Sequence, residues 1–306
     1  DRLSNLVPGA GHLVHMPSHI FFRIGRYNDA AQANLRAAEV DEAYIAACNA
    51  QGFYPALYYP HNIHFLWSAS TMQGQSALSI ESARRVVENV RVEQVKAFPT
   101  IEFFRTVPLL SLVRFAKWDD ILAEPQPQEE FMFARSVWHY ARGVAYAAKG
   151  LPEKAKAELA MLDPLKDDVS VRFLDSRDYP GSALVGIAIH LLRGEIAYRG
   201  GEFDRAVNHF EQAVAAQDLL PYTEPPFWYY PTRQSLGAAL VAGGKHAEAE
   251  AVFRNDLKQY PHNGWSMFGL AQSLTAQGKI EEAAKAKMHF ETIWQFSDVE
   301  LTASIL

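Results

Sequence analysis

Apolar residues along this chain recur at i, i+3 and i+4, and the few alternating runs are too short to make strands. The pattern predicts an all-α protein of about fourteen helices. Two stretches near the C-terminal end repeat each other: Gly244-Lys245-His246-Ala247-Glu248-Ala249 returns as Gly278-Lys279-Ile280-Glu281-Glu282-Ala283, 34 residues later. Seven positions before each turn glycine stands a small residue, Gly237 or Ala271, which lets two helices approach closely. A second amphipathic helix follows each turn, with Phe253 at a packing position and Pro261 at a stop.

The same frame fits Gly194 with Gly201-Glu202-Phe203-Asp204-Arg205-Ala206, and Gly143 with Gly150-Leu151-Pro152-Glu153-Lys154-Ala155. It also fits Ser18 with Gly25-Arg26-Tyr27-Asn28-Asp29-Ala30. Two units are irregular: Gly74-Gln75-Ser76 lacks the usual alanine, and Ala116 stands in the glycine's place before Lys117-Trp118-Asp119-Asp120. Together these units resemble the tetratricopeptide repeat, a helix-turn-helix of 34 residues. The resemblance covers nearly the whole chain and implies a right-handed superhelical solenoid over residues 1–306, of about seven helical pairs with one concave face. Longer intervals place insertions at Cys48–Pro60, Pro164–Ser182 and Asp218–Pro231, and Pro125-Gln126-Pro127 breaks two helices. Asp1–Val7 reads as the tail of a second helix, which predicts further repeats upstream.

Histidine is the most unevenly placed residue. Five of eleven fall in Gly11-His12-Leu13-Val14-His15-Met16-Pro17-Ser18-His19 and Pro60-His61-Asn62-Ile63-His64-Phe65. Counted back from Gly25 and Gly74, His12, His15 and His19 take positions 2, 5 and 9 of one repeat, while His61 and His64 take positions 2 and 5 of another. At about 100° per residue the first three share a helix face. In tetratricopeptide proteins those positions line the concave groove, so the resemblance implies five imidazoles converging from neighbouring helices. Imidazole suits Zn, Cu, Fe or Ni, and three such ligands with an open position hold a reactive water in zinc enzymes. Neither string supplies a carboxylate, which could arrive from a loop or from a missing repeat. The competing reading is a polar groove whose histidines bond each other and a ligand. Pro17 weakens the angular argument if a helix starts there.

Aromatic segments supply further candidates. Glu224, Trp228, Tyr229 and Arg233 lie in or beside a Pro- and aromatic-rich connection, which either lids a groove or plugs a gap between repeats. Tyr58 and Tyr59, in the segment Phe53–Pro60, either wall the histidine cavity or pack between hairpins. Tyr140 and Glu195 occupy groove positions 5 and 9 of later repeats, whereas His139, Arg142 and His190 fall between helices.

Composition trims the remaining classes. Lys and Arg total 29 against 35 Asp and Glu, for a net charge of −6, and this supplies no basic field for nucleic acid or anionic lipid. Apolar windows break well short of the roughly 20 residues of a membrane span. The single Cys48 reads as a small buried hydrophobe and excludes a disulfide or Cys-rich zinc site. There is no GxSxG, GxGxxG, P-loop or HExxH. The run Lys279–Lys287 reads as a solvated helix face. The chain opens on Asp1 without a leader pattern, which reads as a fragment or processed chain, and the cytoplasm is the default compartment. The leading functional expectation is a solenoid binding module that offers a histidine-lined groove to a peptide, protein or small molecule. A transition-metal protein or metal-dependent enzyme is the second, and an architectural segment the third. The paired histidines also resemble those of a group of large bacterial tetratricopeptide proteins, a likeness that supports a site without naming its chemistry.

Overall fold

A computed structural model describes residue 3 and residues 6–49 and 54–306; the expectations for Asp1–Val7, the Cys48–Pro60 insertion and Phe53 fall partly or wholly outside the described residues. In chain order the helices are α1 (Gly11–His15), α2 (Pro17–Arg23), α3 (Tyr27–Cys48), α4 (Tyr59–Gln73), α5 (Ser76–Glu88), α6 (Val92–Ala97), α7 (Val107–Arg114), α8 (Trp118–Ala123) and α9 (Met132–Ala148). There follow α10 (Pro152–Leu162), α11 (Val169–Asp175), α12 (Gly181–Arg199), α13 (Phe203–Asp218), α14 (Arg233–Ala242), α15 (His246–Gln259), α16 (Gly264–Ala276) and α17 (Ile280–Trp294). A π-helical turn, Tyr54–Tyr58, precedes α4, and 3-10 segments Pro99–Thr106 and Asp163–Asp167 lie in connections. No strand occurs among the described residues.

The turns explain the hairpins. Gly25, Gly74, Ala116, Gly150, Gly201, Gly244 and Gly278 all adopt positive φ, between 54° and 77°. At each, the next amide bonds the carbonyl five residues back, as in Arg26 to Phe21 and Lys117 to Leu112, which closes the first helix and starts the second. Ala116 therefore does the glycine's job despite its Cβ. Where the arms cross, Ala30, Ala155, Ala206 and Ala249 are fully buried. A Cβ on Gly237 would sit 2.3 Å from the Phe253 ring, and one on Gly194 equally close to Phe210. Ser79 replaces the alanine of the irregular second unit, its buried hydroxyl satisfied by Thr71 Oγ1 (2.8 Å) and Ser111 Oγ (2.7 Å).

The run of hairpins closes on itself. Trp265 Nε1 of α16 donates to the Thr71 carbonyl of α4 (3.3 Å), and Gln73 Nε2 donates to the Ile293 carbonyl of α17 (2.6 Å). Asp298 accepts the amides of Ser76 (2.6 Å) and Ala77 (3.0 Å) at the start of α5. The interior is filled by the 219–232 connection, whose Trp228, Tyr229 and Tyr230 are buried. The Arg114 guanidinium lies 3.5 Å over the Trp265 ring and donates to Gln234 Oε1 (2.5 Å). Where an open concave groove was expected, an inserted segment packs against the inner helices.

Candidate metal centre

Proline sets the geometry of the first histidine string without breaking it. Pro17 is the first residue of α2, where a missing amide costs nothing, and Met16 keeps right-handed helical angles, so α1 runs into α2. His15 and His19 thereby stay one turn apart and their rings meet at 4.7 Å. Gly11 lets α1 settle on α3: a Cβ there would lie 2.0 Å from Asp41 Oδ1. From the other side, α4 begins with Tyr59 and Pro60 and delivers His61.

Four imidazoles converge. Fully buried His15 presents Nε2 to His19 Nε2 at 2.9 Å and to His61 Nε2 at 3.2 Å. One nitrogen each of His12, His15 and His61 lie within 4.8 Å of one another. Hydrogen bonds fix which nitrogens are free. Asn34 donates Nδ2 to the Ala30 carbonyl (2.8 Å), so its Oδ1 accepts from His15 Nδ1 at 2.6 Å. His15 Nε2 then keeps its lone pair. His19 donates Nδ1–H to Glu224 Oε2 (2.6 Å), leaving its own Nε2 free. Neutral rings would set lone pair against lone pair across 2.9 Å, and a cation resolves that conflict. His12 Nδ1 is buried without a partner.

Burial, and then the neighbouring His61, pull the His15 pKa down to about 2. Burial, followed by His12 and His19, lowers His61 to about 4. Both rings are therefore neutral near pH 7, the form that ligates metals. Around them stands a supporting layer. Asp41 accepts from Tyr54 Oη (2.7 Å) and Asn62 Nδ2 (2.7 Å), and its carboxyl is raised by burial. The His12 amide donates to Tyr54 Oη (3.2 Å), and Arg23 Nε lies 3.8 Å from Glu224 Oε1. At a Zn–N distance of about 2.0–2.1 Å, two ligands of a tetrahedral ion stand about 3.3 Å apart, close to the His15–His61 spacing. The donor set fits a nitrogen-preferring transition metal.

His64 departs from the expected quintet. It is buried, stacks on Trp67 (5.0 Å) and meets Phe103 and Phe104 edge-on, so its pKa falls to about 3, chiefly through burial. Three residues after His61 it is rotated by about 60°, and because α4 is buried on nearly every side that rotation delivers it to a different neighbour. Of the aromatic candidates, Tyr58 meets the His12 ring edge-on at 4.6 Å, while Tyr59 donates to Glu42 Oε1 (2.5 Å). Tyr140 and Tyr229 are buried and bonded to each other (3.0 Å), and Glu195 pairs with Arg199 (3.3 Å). Arg233 pairs with Asp218 at 2.5 Å. These four stand away from the histidines, at closed internal contacts. Glu224 is the loop carboxylate that the histidine strings lack. His139 and Arg142 share Glu158 between helices. Cys48, expected to be buried, is exposed at the end of α3 because the chain leaves the packed hairpin there. Asn34 and Asp41 escaped the sequence reading. Their signal was present: they interrupt the small-residue stripe Ala30, Ala37, Ala38 of α3 at helical spacing.

The 219–232 connection separates two cavities and borders both with Thr223, Glu224, Pro226, Phe227 and Trp228. One, of about 420 Å³, has walls shared about equally between polar groups, among them Arg23, Asp218 and Lys258, and apolar or aromatic ones such as Phe22 and Phe227. The other, of about 260 Å³, opens beside His61 and His64 and has mostly aromatic and aliphatic walls.

Among known proteins, the tetratricopeptide repeat family model matches residues 235–288. No curated protein matches the chain. A solved structure, that of the APC/C hetero-tetramer Cut9–Hcn1, contains a chain similar at 13% identity with a TM-score of 0.34, over 96% of this chain and 55% of that one. The present chain thus spans about half the length of that relative. No helix among the described residues is long and apolar enough to cross a membrane. The family model covers residues 235–288, and the left-handed turn residues and alanine-centred crossings continue the same hairpin pattern through the other units, so the chain is an all-α helical-repeat protein similar to the tetratricopeptide repeat.

Proposed function

We propose that this tetratricopeptide-repeat scaffold, a fold of protein-interaction modules, holds a transition-metal ion on His12, His15 and His61, with His19 completing the group on the Glu224 side. One observation carries the reading: the free Nε2 of His15 faces two further imidazole nitrogens at 2.9 and 3.2 Å while its other nitrogen is fixed by Asn34. Hydrogen bonds from ligand rings to Asn34 and Glu224 are the outer layer that metal-bound histidines need. Zinc is the first candidate, since imidazole nitrogens suit its tetrahedral preference, and Cu, Fe and Ni share the donor type. Three ligands with His19 displaced would leave a position for water, the arrangement of a hydrolytic zinc site.

Elemental analysis of untagged protein is the test. About one metal ion per chain is expected, and adding zinc at a hundredfold excess over Kd to stripped protein should stabilise it by about 2.7 kcal/mol. His15→Ala and His61→Ala should each abolish both effects. Metal-free protein that gains no stability from Zn, Cu, Fe or Ni would sink the metal reading.

A further inference from the structure

The segments that interrupt the repeat meet around one space. Phe103 from the 3-10 segment, Tyr179 from the Pro164–Ser182 insertion and Phe227 from the 219–232 connection line the cavity of about 260 Å³ beside His61, together with Phe133 of α9. Their rings form a box: Tyr179 stacks on Phe103 with centres 5.3 Å apart and meets Phe133 (5.4 Å) and Phe227 (5.5 Å) edge-on. A dry apolar cavity of roughly 150 Å³ already holds benzene, so this one admits a ring with a short substituent. Two polar side chains border the box without a partner. His64 is 8% exposed and Tyr179 9%, and neither makes a hydrogen bond among the described residues. The indole nitrogens of Trp67 and Trp228 are sealed, whereas the His64 nitrogens and the Tyr179 hydroxyl keep accessible surface. Trp67 covers one face of His64 and Phe104 meets its ring edge-on, so the cavity is the opening left to it.

The partnerless histidine narrows the class. Burial keeps His64 neutral, so its ring carries one N–H and one lone pair, and no protein group fixes which nitrogen holds the proton. A hydroxyl both donates and accepts, and so answers either tautomer. Charge narrows it further. No Lys or Arg lines this cavity among the described residues, and an anion would meet Glu224 without a counter-ion. A cation would find the Glu224 oxygens already bonded to His19 and Tyr222. We propose that this cavity binds a small uncharged one-ring alcohol or phenol, its ring held in the Phe103–Tyr179 box and its hydroxyl bonded to His64. His61 belongs to both the cavity and the histidine cluster, so the ligand sits beside the proposed metal centre. The assignment goes beyond the metal reading and stands without it, since His64 takes no part in that centre.

Benzyl alcohol and ethylbenzene are matched probes, alike in shape but differing in OH against CH3. Saturation-transfer NMR titrations on the whole chain, once metal-free and once zinc-loaded, should find both probes bound in both preparations. The readout is the ratio of the two affinities, which cancels the difference in their hydration. His64→Phe and His64→Leu, two replacements of different bulk, should each lower the ratio of alcohol to hydrocarbon affinity about tenfold, the effect of stranding a buried hydroxyl. Ethylbenzene should still bind both variants. Tyr179→Phe keeps the stacking and should leave the ratio unchanged. Leu110→Phe and Val137→Phe fill the space from two sides, and each should abolish binding of both probes. A ratio unmoved by both His64 replacements, a fall confined to Tyr179→Phe, binding that survives both filling changes, or benzoate or benzylamine binding as tightly as benzyl alcohol would overturn the proposal. A ratio that depends on His64 in metal-free protein upholds the cavity even if no metal is ever found, and a bound metal without that dependence upholds only the histidine centre.

Discussion

Glu224 reaches His19 from 205 positions along the chain, and no spacing rule could have paired them. The histidine strings themselves were legible because repeat register aligns positions 2 and 5 of neighbouring hairpins, and their first helices are the ones that face each other. What register could not carry was a rotation of about 60° around α4, which moved His64 onto Trp67, and the identity of the groups that orient the rings. In the proposed centre Glu224 would act on the metal only through His19, whose tautomer it fixes. Glu224→Gln should therefore weaken zinc binding by roughly 10- to 100-fold while leaving the fold intact, measured by competition with a chromophoric chelator. An unchanged affinity would mean that His19 lies outside the coordination group. Ala116 presents a separate residue-scale case. It sits at φ 54°, where a Cβ crowds the following carbonyl, so Ala116→Gly should raise stability by about 1 kcal/mol in urea denaturation. The unfolded chain gains freedom with the same change, which trims the benefit without reversing it.

Element boundaries were readable wherever a turn glycine stood, and harder to read where none did. The stretch from Val92 to Thr106 shows this: it was not foreseen as an insertion, because it has little punctuation beyond Pro99, yet it folds into α6 and a 3-10 segment. Its purpose becomes visible only in three dimensions. Glu102 leaves the 3-10 segment to accept the Ala134 amide (2.8 Å) in the first turn of α9, serving as a cap from 32 residues away. Burial outweighs that help from the amides of Ala134 and Phe133, and the Glu102 pKa rises to about 7. The folded state thus holds a proton that the unfolded chain releases near the ordinary value of 4.5. The stabilisation is fully present below that value and is lost as pH rises through about 7, a change on the order of 3 kcal/mol for a carboxyl raised this far by folding. Glu102→Gln keeps an acceptor without a titrating proton. The difference in unfolding free energy between the wild-type protein and this variant should shift against wild type between pH 4.5 and 7. A difference independent of pH would show that Glu102 stays ionised in the fold.

Closure changes how the whole molecule should lose structure. In an open repeat array each unit contacts only its neighbours, so terminal hairpins fray on their own. Here α4 and α5 of the second hairpin are tied to α16, α17 and the segment after it, through Thr71, Gln73 and the Asp298 cap on Ser76 and Ala77. That tie was invisible in the sequence because it joins residues more than 190 positions apart, and repeat similarity speaks only of adjacent units. Asp298 is the most accessible place to cut it. Burial notwithstanding, the amides of Ala77 and Ser76 hold its carboxyl below the usual carboxylate range, as a helix-start acceptor should. Asp298→Ala removes both hydrogen bonds and should cost about 0.5–2 kcal/mol, the range for loss of an N-terminal cap. The location of the loss distinguishes closure from simple fraying. Hydrogen exchange should quicken together in the first turn of α5 and along α17, with α9 and α12 on the far side unchanged. Faster exchange confined to α17 would mean that the two ends meet without supporting each other. Because α4 also carries His61, loosening at this seam should reach the histidine cluster, and the Asp298→Ala protein should release zinc faster than wild type although no ligand has been touched.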